Sequence, residues 1–243
     1  MISVKERWAL VTGASRGIGY LVSLFMAEQG CNLVLHSRSL EHTQKIVHEV
    51  KALGVEAYGV QAELADHEQV VAMLDEIQAR GTAMDIVFNN AGLQVGYRQD
   101  FWETPVEDFY TSLRVNFIAV TTICYRLMPA MIARGFGRVI NTTSGIRDQP
   151  EQAGYSASKA ALDKFTVDLG TKLEGTNVLI NLTDPGWCRT DLGGPQAPNA
   201  PESSLPGVVV GAFVDDGRCG RLLGASQFTG MSLEEAVRKA ETM

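Results

Sequence analysis

A short apolar run, Trp8-Ala-Leu-Val-Thr12, leads straight into Gly13-Ala-Ser-Arg-Gly17-Ile-Gly19, and that junction leaves the chain few architectures. Trp8–Thr12 suits a parallel strand buried on both faces, where no polar alternation is needed. The stretch Tyr20–Glu28 is helical in composition, and Gly30 is placed to stop it. Strand, glycine turn and helix in that order make the unit on which a dinucleotide pyrophosphate can rest. Gly13 permits the tight turn, Gly17 lets the backbone approach a pyrophosphate, and Gly19 lets the helix pack close to the strand. The helix N-terminus offers unpaired N–H groups and the positive end of its dipole.

The alternation continues down the chain. Strand-like runs at Trp8–Thr12, Asn32–His36, Glu56–Gln61, Asp85–Asn89, Arg138–Thr142 and Val178–Leu182 alternate with helical runs. The helical runs are Tyr20–Glu28, Glu41–Leu53, His67–Arg80, Val106–Arg134 and Tyr155–Leu173. This predicts an α/β fold: a single-domain, Rossmann-type, doubly wound parallel sheet flanked by helices on both faces, over residues 1–243. At 243 residues and 45% hydrophobic content, the chain can bury one full core. There is no linker or repeat, and the one biased tract is the Pro/Gly/Ser-rich Gly193–Gly207. Near the end, Gly220–Gly224 is the best candidate for a further strand, and Ser232-Leu-Glu-Glu235 is a capping box opening a helix over Leu233–Ala240.

Composition excludes several roles. A net charge of −7 without a basic stripe argues against a nucleic-acid partner, because a phosphate backbone would be repelled by the average surface. Val115–Ala133 is the most apolar long stretch, but Asn116, Arg126 and Pro129 within it favour a core helix over a membrane span. Cys31, Cys124, Cys188 and Cys219 form no Cys-x-x-Cys pair, and the chain starts without a signal-like segment, so a reducing cytoplasmic setting is expected. The four histidines do not cluster as metal ligands, and no metal is expected.

Chemistry is concentrated at Tyr155-Ser-Ala-Ser-Lys159, where one helical turn puts a phenol and an ammonium on the same face. A tyrosine of ordinary pKa, about 10, shuttles protons poorly near neutral pH. A positive charge about 4 Å away, at an effective dielectric of about 20, favours the phenolate by roughly 4 kcal/mol before desolvation. The lysine is therefore expected to lower the tyrosine pKa.

Thr12-Gly13-Ala-Ser-Arg-Gly17-Ile-Gly19, Asn89-Asn90-Ala91-Gly92, Asn116, Ser144, Tyr155-x-x-x-Lys159 and Pro185-Gly186, in that order, resemble the short-chain dehydrogenase/reductase family over most of the chain. The spacing resembles the ordinary oxidoreductase branch, and Thr190-Asp-Leu-Gly-Gly-Pro195 looks like its carbonyl-reductase and C-factor-like members. The resemblance implies Tyr155 as general acid/base, Lys159 binding ribose hydroxyls, Ser144 polarising the substrate oxygen, and Asn116 holding a water in a proton relay. The interval from Ser144 to Tyr155 is shorter than is usual in the family, so either the loop Gly145–Gly154 is tightened or Thr142 supplies the hydroxyl. Gly13, Ser15, Arg16, Gly17, Ile18 and Gly19 would cradle the cofactor together with Asn90, Ala91, Gly92, Pro185, Gly186 and Thr190. Glu63 and Leu64 stand where relatives often meet the adenine with an aspartate. Asp184 replaces a more usual small residue, and nothing in the sequence explains it.

The second strand ends in His36-Ser37-Arg38 rather than in a carboxylate that would hold the ribose hydroxyls of NAD. Ser37 and Arg38, with Arg16, can clamp a 2′-phosphate, so NADP(H) is favoured over NAD(H). The implied function is an NADP(H)-dependent oxidoreductase acting on a small-molecule carbonyl or alcohol. The alternatives are an NAD-preferring dehydrogenase or a non-catalytic dinucleotide-binding regulator. Residues 186–207 are expected to form a mobile lid, 208–243 an atypical C-terminal segment, and the assembly a homodimer or homotetramer.

Overall fold

The computed structural model describes residues 1–243. The elements in order are β1 (Trp8–Val11), α1 (Gly17–Glu28), β2 (Asn32–Ser37), α2 (Gln44–Ala52), β3 (Ala57–Gln61), α3 (His67–Ala79) and β4 (Met84–Asn89). There follow α4 (Val106–Leu113), a π-turn (Arg114–Ile118), α5 (Ala119–Arg134), β5 (Gly137–Thr142), α6 (Ala153–Gly170), β6 (Val178–Thr183) and α7 (Leu233–Ala240). All six strands run parallel in the order β3-β2-β1-β4-β5-β6. The chain starts at the centre, works out to β3, then returns to β4 and works out the other way. Between β1 and β4 it therefore has the topological switch at which such sheets open a crevice.

Strand periodicity divides the core in two. Ala9 and Val11 of β1, Leu33 and Leu35 of β2, and Ile86 and Phe88 of β4 face one layer, with Val22 and Met26 of α1, Ile46 and Val50 of α2 and Val237 of α7. Leu10, Val34, Val87, Val139 and Ile180 face the other, against Met73 and Ile77 of α3, Ile123 and Met128 of α5 and Leu162 of α6. Each strand reads as a nearly continuous apolar run because both of its faces are covered. The helical run Val106–Arg134 is long and apolar enough to cross a membrane by composition. Here Ala119, Val120, Ile123, Cys124, Met128 and Met131 pack it into the second core.

Several expected elements differ in detail. Helix α1 begins at Gly17, three residues before the expected Tyr20, so the last glycine of the turn already lies inside the helix. The long helix expected over Val106–Arg134 is interrupted by the π-turn that carries Asn116. Segment 220–225 does not form a regular seventh strand. It makes one isolated bridge, Leu182 to Leu222, although its backbone is hydrogen-bonded alongside β6 from Ile180 to Asp184. The capping box at Ser232 and Glu235 is present, and α7 spans the expected residues.

Two polar devices fix the sheet. The Arg138 guanidinium is wholly buried and donates to the Val214, Gly137 and Asn177 carbonyls, so it ties the C-terminal segment to the entry of β5. At the other end of the strands, the Asn89 amide donates to Asn141 (2.8 Å) and the Asn141 amide to Thr166 of α6 (2.8 Å), a buried polar line across β4, β5 and α6. Around the glycine turn the packing leaves no slack. A Cβ on Gly19 would stand 2.3 Å from the Gly13 carbonyl oxygen and 2.5 Å from the Asn90 amide nitrogen. Gly19→Ala is therefore expected to cost about 3 kcal/mol or more in urea unfolding, against less than about 0.5 kcal/mol for Gly96→Ala, which meets nothing within 4 Å.

Candidate active site

The residues of the glycine turn meet the C-terminal ends of β1, β2 and β4. Gly13 has φ +67°. Its N–H donates to His36 Nδ1 (3.3 Å), and the other ring nitrogen of His36 lies 3.0 Å from the Ala62 carbonyl. That ring thus acts as acceptor at Nδ1 and donor at Nε2, spanning β1, β2 and β3 in its neutral form. Burial pulls its pKa down to about 4. The Thr12 hydroxyl accepts from the N–H groups of Asn90 and Ala91 (both 3.0 Å), and the Asn90 amide donates to the Thr12 carbonyl (3.1 Å). Helix α1 has no side-chain cap at Arg16, so its first N–H groups stay open toward the crevice.

The cluster Ser144, Tyr155 and Lys159 forms at the end of β5 and the start of α6. Tyr155 and Lys159 are buried, and Ser144 stands close enough to the phenol to pull its pKa down. Thr142 offers its carbonyl to Lys159 Nζ (2.8 Å). The ammonium lies 5.7 Å from the centroid of the Tyr155 ring. Here the sequence expectation is corrected. Burial pushes the Tyr155 phenol above its ordinary pKa, Ser144 pulls it down and Asp184 pushes it up. Desolvation of a side chain held in the protein exceeds whatever the neighbouring lysine returns. Burial also pulls Lys159 down to about 8, against Asp163 and Asp184, which push it up.

Asn116 is fully buried, and its side chain is fully engaged. Its carbonyl oxygen accepts from the Leu93 N–H (2.8 Å), and its amide donates to the Leu93 carbonyl (2.8 Å) and to Ser158 Oγ (2.9 Å). The amide therefore braces the loop after Gly92 against α6.

Segment 186–207 is laced by its own hydrogen bonds. Trp187 donates its indole N–H to the Gly193 carbonyl (2.7 Å), Arg189 donates to the Ala197 and Pro198 carbonyls, and the Gly193 N–H donates to Thr190 Oγ1 (3.1 Å). The strap crosses the turn. Thr190 packs within 3.3 Å of where a Gly17 Cβ would stand, Leu192 within 4.0 Å of the same point on Gly92, and Asp191 pairs with Arg16 at 2.7 Å. Of the expected arginine clamp, Arg16 is thus engaged by the strap, while exposed Arg38 makes no salt bridge. Ser37 donates to the Ser39 carbonyl (2.5 Å), and Glu63 accepts from the Ala65 N–H (3.1 Å). Leu64 is buried and, with Val70, Arg114 and Ile118, lines a hollow of about 220 Å³ beside α3.

Two residues whose roles the sequence does not show, His36 and Asp184, prove central to this geometry. Asp184 accepts from the Gly145 N–H (2.9 Å) and from the Gly186 N–H (2.8 Å), joining the Ser144 loop to the Pro185–Gly186 turn. The signal available was the residue type alone: an acceptor-only side chain at a strand end needs donors.

A family model described as short chain dehydrogenase matches residues 7–200. A 3-oxoacyl-(acyl-carrier-protein) reductase of Staphylococcus aureus is 30% identical over 216 residues, covering 86% of this chain and 85% of the relative. A metagenomic short-chain oxidoreductase solved in complex with NADP superposes with a TM-score of 0.70 at 29% identity, covering 77% of this chain and 86% of that one. L-sorbose reductase from Gluconobacter frateurii, solved with NADPH and L-sorbose, gives a TM-score of 0.72 at 27% identity, covering 78% of this chain and 72% of that one.

The neutral imidazole sets a pH limit on the turn. The folded pKa of His36, about 4, lies below the ordinary value of 6.5, so the unfolded chain binds the extra proton. The stabilisation is present above pH 6.5 and is lost as the pH falls toward 4. Urea unfolding at steps through that window is expected to show a decline in wild type that is shallower, by up to one proton, in His36→Gln.

Proposed function

Since the chain belongs to the short-chain dehydrogenase family, we propose that it is an NADP(H)-dependent oxidoreductase that interconverts a small carbonyl compound and its secondary alcohol, with Tyr155 as general acid/base. The observation that carries this reading is a buried phenol, beside Ser144 and one helical turn from Lys159, at the same C-terminal end of the parallel strands as the glycine turn.

The residues fit a dinucleotide. Gly13, Ser15, Gly17, Ile18 and Gly19 line a turn in which three glycines keep the backbone open, at the uncapped start of α1, which suits a pyrophosphate. Asn90, Ala91 and Gly92 border it on one side, and Pro185, Gly186 and Thr190 on the other. A bound nicotinamide dinucleotide supplies or accepts the hydride. The chain handles the proton. A phenol held above its ordinary pKa stays protonated at neutral pH, the form that donates to the oxygen of a carbonyl being reduced. Ser144, beside that hydroxyl, can donate its own O–H to the same substrate oxygen, stabilising charge as it develops. Lys159, placed beneath Tyr155 by the Thr142 carbonyl, carries a charge that favours the phenolate left behind. Recharging from solvent would pass by the π-turn of Asn116.

Arg38 supports the NADP reading, because an exposed guanidinium without a carboxylate partner at the end of β2 suits a 2′-phosphate. The NADP and NADPH complexes of the two structural relatives agree with it. One observation favours NAD instead: Arg16 is committed to Asp191, which leaves half of the expected clamp engaged. The cysteines are all free thiols, in keeping with a cytoplasmic setting. Exposed Val106, Tyr110, Tyr125 and Ile132 on α4–α5 and Val167 on α6 suit pairing between copies in a dimer or tetramer.

Tyr155→Phe is expected to lower kcat at least about 100-fold toward any carbonyl that the wild type reduces, followed by NADPH absorbance. Full turnover in that variant would refute the assignment. Arg38→Ala should weaken NADPH binding about tenfold by intrinsic fluorescence and leave NADH within about twofold. Unchanged NADPH affinity would favour the NAD reading.

A further inference from the structure

We propose that Asp184 is a positioning residue, whose carboxylate binds the Ser144 loop to the Pro185–Gly186 turn and so holds the Ser144 hydroxyl against Tyr155. The inference rests on the reading of Tyr155 as the acid/base and adds a residue to that site. Three observations carry it. The two carboxylate oxygens are divided between two loops, one accepting from the Gly145 N–H and the other from the Gly186 N–H. Gly145 is the residue directly after Ser144, so the contact fixes the backbone of the serine itself. A Cβ at Gly145 would fall 2.9 Å from Asp184 Oδ2, so this approach requires a glycine there. Finally, the Asp184 carbonyl accepts from the Ala225 N–H (2.8 Å), which fixes the residue from behind against the C-terminal segment.

The need for such a clamp follows from the loop. Ser144 is otherwise held locally, through the Ile146 N–H donating to its Oγ at 3.3 Å. The segment 145–154 must turn from β5 into α6 in few residues, with Asp148 at φ +54°. A side chain with two acceptors and no donor suits two backbone N–H groups that converge from different strand ends. A small apolar residue there would leave both without that partner.

The charge on the clamp also reaches the reacting groups. Tyr155 is faced by Ser144 from the loop after β5, by Lys159 from its own helix and by Asp184 just beyond β6, while Lys159 is faced by Asp163 and Asp184, and Asp184 by the Cys188 thiol. Asp184 pushes Tyr155 and Lys159 up together, so removing its charge moves both titrations to lower pH.

The test compares wild type, Asp184→Ala and Asp184→Asn, each checked for folding by circular dichroism. Amide hydrogen exchange at Gly145 and Gly186 is expected to accelerate about tenfold or more in Asp184→Ala, with less effect in Asp184→Asn, which keeps one acceptor oxygen. In carbon-13 lysine spectra, the Lys159 titration should fall by roughly half a pH unit in both variants, since both lose the charge. With a carbonyl that the wild type reduces, kcat should drop about tenfold in Asp184→Ala and recover in part in Asp184→Asn. Unaltered exchange at Gly145, or an unmoved Lys159 titration, in a folded variant would overturn the inference. If the wild type reduces no carbonyl, the proposed activity falls, while exchange and titration still decide the role of Asp184. If the alanine variant does not fold, the asparagine variant decides alone.

Discussion

The Thr12 hydroxyl, shared between the N–H groups of Asn90 and Ala91, is the contact on which the rest of the site depends. It joins the ends of β1 and β4 where the strand order reverses, and so holds open the one place where two neighbouring crossovers leave in opposite directions. The Asn90 amide completes the join and at the same time sits against Gly19, so α1 cannot settle on β1 unless β4 is already in register. Sheet register and helix placement are thereby a single condition. The line from Asn89 through Asn141 to Thr166 extends that condition to α6, the helix that carries the phenol and the ammonium.

Much of this was legible in the residues. Strand positions follow from apolar runs covered on both faces, a pattern set by burial alone, and all six lie within a residue or two of where the runs place them. The capping box at Ser232 worked for the same reason, since its partners are three residues apart. The π-turn at Asn116 was not readable, because the extra residue is accommodated by packing against α6 and the loop at Leu93, neither of which is local. The edge segment beside β6 was half readable: its residues suit a strand, but only Leu222 makes a ladder bridge.

The site shows the same division. Tyr155, Ser144 and Lys159 are near enough in sequence and motif to be grouped in advance, whereas their electrostatics are not. A single charge at a helical spacing suggests an acidified phenol, yet burial of the whole group reverses the sign, and burial belongs to the tertiary structure. The roles of His36 and Asp184 were not legible because the partners that matter, the Gly13 N–H and Ala62 carbonyl for one and the Gly145 N–H for the other, are backbone groups of distant segments. Backbone N–H groups look identical in every sequence, and only the fold shows which of them converge.

The strap over the glycine turn bears on how an anion enters. In this chain Arg16 is not a spare cation, because a carboxylate of the same molecule already holds it. The pair lies at the surface, with both side chains more than half exposed, so it tethers the strap to the turn only lightly, and the remaining guanidinium N–H groups stay free for an anion.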